Sequence, residues 1–130
     1  MQCNFRFRLV AVASAALALS ACMTAQTYEG PRRPRSEVAH IAGDLALSAG
    51  APVSLLLRQV DGITLSVGQN AVDVLPGTHT LLVDCRIRET GGVSRHSIEV
   101  DVYEGRTYRL VPETGPGLRE CTEVRLEAVE

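Results

Sequence analysis

From residue 37 onward the apolar residues come in short runs, each soon closed by Gly, Pro, Asn or Asp: "SEVAHIAG", "PVSLLLRQVDG", "ITLSVG", "NAVDVLPG", "HTLLVDCRI", "RHSIEVDVYEG", "RTYRLVPE" and "TEVRLEAVE". Runs this short do not carry a helix of ordinary length. Their recurrence at roughly 8 to 12 residues is the spacing of strands in a sandwich or barrel, and no segment beyond residue 36 has the periodicity of an amphipathic helix. The expected fold is all-β, a small antiparallel β-sandwich of about 7 to 8 short strands.

Side chains alternate faces along a strand, so the pattern also predicts what is buried. In "HTLLVDCRI", Leu81, Val83, Cys85 and Ile87 point to the core, and Thr80, Asp84, Arg86 and Arg88 point away. In "RHSIEVDVY" the inward set is His96, Ile98, Val100 and Val102, and the outward set is Ser97, Glu99, Asp101 and Tyr103. The two strands are expected to pair as a hairpin around "ETGGVS". A tight turn on Gly91-Gly92 sets Asp84 opposite Glu99; a longer loop sets Arg86 opposite Glu99 and Asp84 opposite Asp101, and the longer loop is favoured. In the last strand Val124, Leu126 and Ala128 share a face with which Cys121 is out of phase, so Cys121 belongs to the preceding loop or to a bulge.

The opposite end of the chain has another character. A short start with Arg6 and Arg8 leads into an apolar run, Leu9 to Leu19, that is too short to span a bilayer. This is the layout of a secretory signal peptide. Leu19-Ser20-Ala21-Cys22 resembles the lipobox of bacterial lipoproteins at all four positions. The resemblance implies cleavage before Cys22, a diacylglyceryl group on its thiol and acylation of the new amine, which together anchor a protein stably to a membrane. Met23, where inner-membrane retention uses Asp, implies the outer membrane, facing the periplasm. The organisation expected is a signal peptide over residues 1–21, a lipidated Cys22 with a flexible tether over 22–36, and a β-sandwich domain over 37–130. In the tether, "MTAQTYEGPRRPRS" has Gly30, Pro31 and Pro34 against regular structure and a reach of roughly 45 to 50 Å when extended. Its "RRPR" cluster rests on anionic headgroups or stays solvated.

Cleavage leaves 109 residues, enough for one domain and one core. All thirteen basic residues are Arg. The processed chain keeps eleven of them against fifteen Asp and Glu, a mildly acidic balance that excludes nucleic acid as an expected partner. The exported domain retains Cys85 and Cys121, an even pair in an oxidising compartment. A disulfide is the natural reading, closing a loop of about 36 residues with about 3.8 kcal/mol on the chain-entropy account; two free thiols are the alternative.

"VDG" at Val60 to Gly62, "LPGTHTLLV" at Leu75 to Val83 and "RHSIEVDVYEGRTYRLV" at Arg95 to Val111 resemble PEGA-type and transthyretin-like small β-sandwich domains over roughly half of the chain. "YEGPRRPRSEVAHI" is similar to the start of a group of small uncharacterised bacterial lipoproteins. Where the PEGA pattern has Gly-Tyr after the "PG" strand, this chain has "DCRIRETGG". These resemblances imply a sandwich and supply no catalytic residues.

No site for chemistry emerges from the residues. His40, His79 and His96 have no ligand spacing; His79, after "PGT", reads as a local turn-edge hydrogen bonder and His96 as a rim histidine. Ser94, His96 and Asp101 are the residue types of a hydrolase triad, but Asp101 points to the other face of their strand. Glu99 and Asp101 read as a solvated pair opposite Arg86 ahead of a Ca²⁺ contact. No catalytic residue, cofactor or metal is expected, and no phosphate loop, zinc signature or nucleophile elbow is present. The function expected is a non-enzymatic, membrane-anchored lipoprotein of the bacterial envelope, binding a partner or serving an envelope assembly. With both Phe in the leader and only three Tyr, an envelope protein is favoured over a glycan as partner. The alternative is a periplasmic inhibitor of an incoming hydrolase such as a lysozyme, with "RETGGVSRH" as its loop.

Overall fold

The computed structural model describes residues 24–43 and 52–129. The expected signal peptide and the lipid-attachment residue Cys22 lie outside the described residues. Nine strands follow one another: β1 (Thr24–Gln26), β2 (Ala39–Ala42), β3 (Val53–Val60), β4 (Ile63–Thr64), β5 (Ala71–Val74), β6 (Gly77–Ile87), β7 (Val93–Val102), β8 (Thr107–Thr114) and β9 (Cys121–Val129). They form a five-stranded sheet in the order β1-β5-β2-β8-β9 and a four-stranded sheet in the order β4-β3-β6-β7. The two sheets share one core, so the fold is an all-β sandwich.

The core is aliphatic. Leu81, Val83, Cys85 and Ile87 of β6 are buried, as their alternation requires, and meet Ile41, Val72, Val74 and Leu110 of the other sheet in one cluster. Each of the eight runs picked out above holds all or most of one strand of the sandwich. Most neighbours are antiparallel, but β1 pairs with β5 and β2 with β8 in parallel, so the five-stranded sheet is mixed.

Two features differ from expectation. Thr24–Gln26, within the stretch read as a tether, adds an edge strand beside β5, with Ala25 and Tyr28 buried. The residues after it are knitted to it: Gln26 Nε2 donates to the Gly30 carbonyl (2.8 Å), Arg32 donates to the Thr24 carbonyl, and the Tyr28 hydroxyl accepts from the Arg33 amide. The second difference is the β6–β7 register. Asp84 lies opposite Arg95, Thr80 opposite Glu99 and Thr78 opposite Asp101, so neither register considered above is the one formed. A five-residue turn, Arg88 to Gly92, allows this, and it removes the like-charge pairing that burdened both alternatives. Asp84, only 4% exposed, receives Arg95 through two bonds (2.8 and 3.2 Å) with Arg58 close by.

Polar groups lock the two sheets together. Only the last residues of β3 pair with β4, and among the described residues no strand lies along the start of that edge. The Asn70 side chain takes that place: its Oδ1 accepts from the Leu57 amide (2.8 Å), and its Nδ2 donates to the Leu55 carbonyl (3.3 Å). The Asn70 carbonyl in turn accepts from the Gly43 amide, and a Cβ on Gly43 would stand 2.5 Å from the Asn70 amide group. At the other end of β3, Asp61 takes a positive φ of 50° in the turn before Gly62, a position short polar residues tolerate. Its carboxylate accepts from the Thr80 amide and lies 2.5 Å from His79 Nδ1, while His79 Nε2 lies 2.6 Å from the Leu75 carbonyl.

Asn70→Ala leaves two buried backbone groups of β3 unpaired and is expected to lower stability by about 2 kcal/mol, read as a shift in denaturant midpoint. An unchanged midpoint would remove Asn70 from this role. Acid sensitivity follows from Asp84 and Asp61. The hydrogen bond from Arg95, against burial and with the charges of Arg95, Arg58 and Arg86, holds the Asp84 carboxyl below its ordinary range. Burial works to raise Asp61, and the bonds from His79 and Thr80 outweigh it. A depressed folded pKa gives stability present above the unfolded value and lost as pH falls through the folded one. Stability is expected to decline between about pH 5 and pH 2, with Asp84→Asn flattening that decline.

Candidate functional site

Among the described residues β7 and β9 each have one ladder neighbour, β6 and β8, so the last strand of each sheet leaves an edge without a described partner on the same side of the sandwich. Between these edges runs a groove of about 400 Å³. Its floor is apolar, with partly buried Ile98, Val100 and Leu126 beside buried Val124 and Tyr108; Glu99, Asp101, Glu123 and Arg125 rim it. The alternation of β7 produces this arrangement, since even positions from His96 to Val102 turn inward and odd positions face solvent. Arg125 is committed to its own sheet through Glu113 (2.9 Å) and Glu127 (3.7 Å), so the free charge of the rim is acidic. Tyr108 closes the groove from below, its hydroxyl accepting from the Tyr103 amide (2.9 Å) in the connection between the sheets.

At the β9 start lies a separate hollow of about 260 Å³, lined by Ile87, Gly92, Val93, Ser94, Arg119, Glu120 and Cys121. The register slips between Glu113 and Thr114, so Thr122 bulges and Cys121 turns inward out of step with Val124. Cys85, on β6 opposite Ser94 of β7, is fully buried, and its neighbour Cys121 donates its thiol to the Glu123 carbonyl (3.6 Å). Both are free thiols, where the sequence pointed to a disulfide. Burial, then the neighbouring Cys121, push the Cys85 thiol up to about 12, so it stays protonated and non-nucleophilic at neutral pH.

Ser94 and His96 adjoin this pair, with Ser94 Oγ 2.9 Å from His96 Nε2. The third member of the triad pattern is elsewhere: Asp101 accepts from the Thr78 hydroxyl at 2.5 Å on the outer face. Glu99 faces Thr80, away from Arg86. His40 bonds the buried Asp73 across β2 and β5 (2.7 Å), far from the groove in strand order. Of the stretch "RETGGVSRH", only Arg88 to Gly92 is a turn; Val93 to His96 belong to β7.

Sequence reasoning identified the inward phase of Cys85 and set Cys121 out of phase with Val124, in the preceding loop or on a bulge, where the structure makes it the first residue of β9 beside a bulge at Thr122; it missed the groove. The signal for it was the partial polarity of both terminal-edge strands, which makes sense only once β7 and β9 are known to be edges. Comparison with protein-family models, curated proteins and solved structures finds no match for this chain.

Alkylation of the reduced, folded protein at about pH 8 is expected to fall on Cys121, which borders the hollow, with Cys85 reacting only on unfolding. Equal labelling of both thiols in the folded state would contradict the burial of Cys85.

Proposed function

We propose that this chain is a lipid-anchored, non-enzymatic protein of the bacterial envelope, carried on the outer membrane through Cys22, whose sandwich holds an envelope protein in the groove between β7 and β9. The groove supports the binding role. It offers an apolar floor, an acidic rim and, among the described residues, two strand edges with unpaired backbone, the three elements by which an extended segment of another protein is recognised. The lipobox resemblance supports the anchor. Exposure to an oxidising compartment converts the facing Cys85 and Cys121 thiols into a disulfide by exchange with a disulfide donor, two protons and two electrons passing to the donor. That bond ties β6 to β9, hence one sheet to the other, beside the groove.

Crosslinking in cells followed by capture of the tagged protein tests the binding role. One dominant envelope protein is expected, lost with Leu126→Arg when that variant keeps its thermal midpoint; a partner retained by Leu126→Arg would move the interaction off the groove. Cys22→Ala is expected to give a soluble or unprocessed chain, and ordinary membrane fractionation of that variant would refute the anchor.

A further inference from the structure

We infer that the end of the sandwich at which β1 begins is a membrane-contact face, seated on a bilayer surface that carries anionic headgroups. The inference rests on the lipid-anchor reading for the position of Cys22 and goes beyond it in assigning a surface of the folded domain to the membrane. Its starting point is the docking of β1. Thr24 is already paired with Ala71, the first residue of β5, so only Met23 stands between Cys22 and the folded sheet, a reach of at most about 7 Å from Cys22 to Thr24. A lipid on Cys22 therefore holds the domain against the surface, where a free tether over 22–36 would have lifted it clear.

The parts of the sandwich gathered at this end suit that position. Ala71 faces Ala42, the last residue of β2, and β8 continues past that level to Thr114 before the chain turns into β9. The hollow lined by both Val93 and Cys121 places the β6–β7 turn beside the β8–β9 connection. Both project beyond the start of β1, and each presents an apolar tip: Val93 is 58% exposed and Leu118 39%. Leu118 is held out by a backbone with a positive φ of 51°. Val67, in the connection leading to β5, is fully exposed.

Charge separates this end from the other. Against Glu89, Glu113, Glu120 and Glu123 it carries Arg32, Arg86, Arg88, Arg119 and Arg125, whereas the far end carries Glu37, Asp61, Glu99, Asp101 and Glu104 against Arg35 and Arg106. Arg86, Arg88 and Arg119 are exposed. Exposed arginines around protruding Val and Leu are the combination that binds an anionic interface, the cations drawn by the surface potential and the apolar tips entering the headgroup layer. The far end, although it exposes Ile63, Tyr103 and Val129, would be repelled by the same surface.

The chain contains no Trp, so Val93→Trp, Leu118→Trp and, at the far end, Tyr103→Trp each create a single fluorophore. The full-length protein is purified from membranes, its lipid read by mass, and reconstituted into phosphatidylcholine vesicles with or without phosphatidylglycerol, part of the lipid being brominated. Expected is bromolipid quenching of Val93→Trp and Leu118→Trp several-fold above that of Tyr103→Trp in the anionic vesicles, falling to the Tyr103→Trp level in a background of Arg86→Gln, Arg88→Gln and Arg119→Gln. Equal, weak quenching at all three positions in the lipidated chain overturns the contact face while leaving the anchor intact. A chain without lipid at Cys22 overturns the anchor alone, and vesicle sedimentation of that chain then decides the face: binding to anionic but not neutral vesicles supports it, and no binding refutes it.

Discussion

The constraint on which this protein depends is that every long strand must bury one of its two faces in a core made almost entirely of Val, Leu, Ile, Ala and Cys. Both Phe lie in the first eight residues and there is no Trp, so among the described residues Tyr108 is the one aromatic ring in this cluster. Small branched side chains fill the space between the sheets only if each strand presents them at every second position. Leu81, Val83, Cys85 and Ile87 do so without interruption, which makes β6, paired on both sides, the reference for β3 and β7. Where the described residues provide no neighbour strand, a side chain substitutes: the Asn70 amide supplies to β3 the donor and acceptor that a strand would otherwise offer.

The same constraint leaves edges, and the chain handles them unequally. β1 and β4 are short, which limits unpaired backbone. β7, ten residues long, carries Arg95, Glu99 and Asp101 on its solvent face and keeps Ile98 and Val100 only partly covered. Beside it β9 does the same with Leu126. Charges on the rim oppose indiscriminate strand pairing, while the apolar floor stays open to a segment of matching shape and charge. The thiol pair stands where this open side meets the closed core, with Cys121 at the hollow and Cys85 behind it.

Docking of β1 changes the geometry of the whole chain with respect to the proposed anchor. A linker composition with two prolines and a basic cluster suggested a spacer; backbone pairing of three residues and the burial of Tyr28 turn that spacer into part of the domain. The orientation of the sandwich then ceases to be arbitrary, since one end is brought to the surface and its exposed Val93, Leu118 and arginines become the parts nearest to it.

The sequence by itself determined the all-β class, the eight main strands, the inward phase of β6 and β7, the Asp61-Gly62 turn and the break of phase between Cys121 and Val124, because each is set by local alternation and turn chemistry within about ten residues. Tertiary structure alone decided the rest. β1 is three residues with a single buried alanine, too weak a pattern to read, and it forms only because β5 offers an edge 47 positions away in the ladder from Thr24 to Ala71. The β6–β7 register turned on which charge meets Asp84, and burial of that carboxylate beneath Arg95 and Arg58 required the neighbouring β3 to be in place. The groove between β7 and β9 belongs to neither strand: it exists because two sheets of different width end on the same side, a relation between elements distant in sequence that no local pattern encodes.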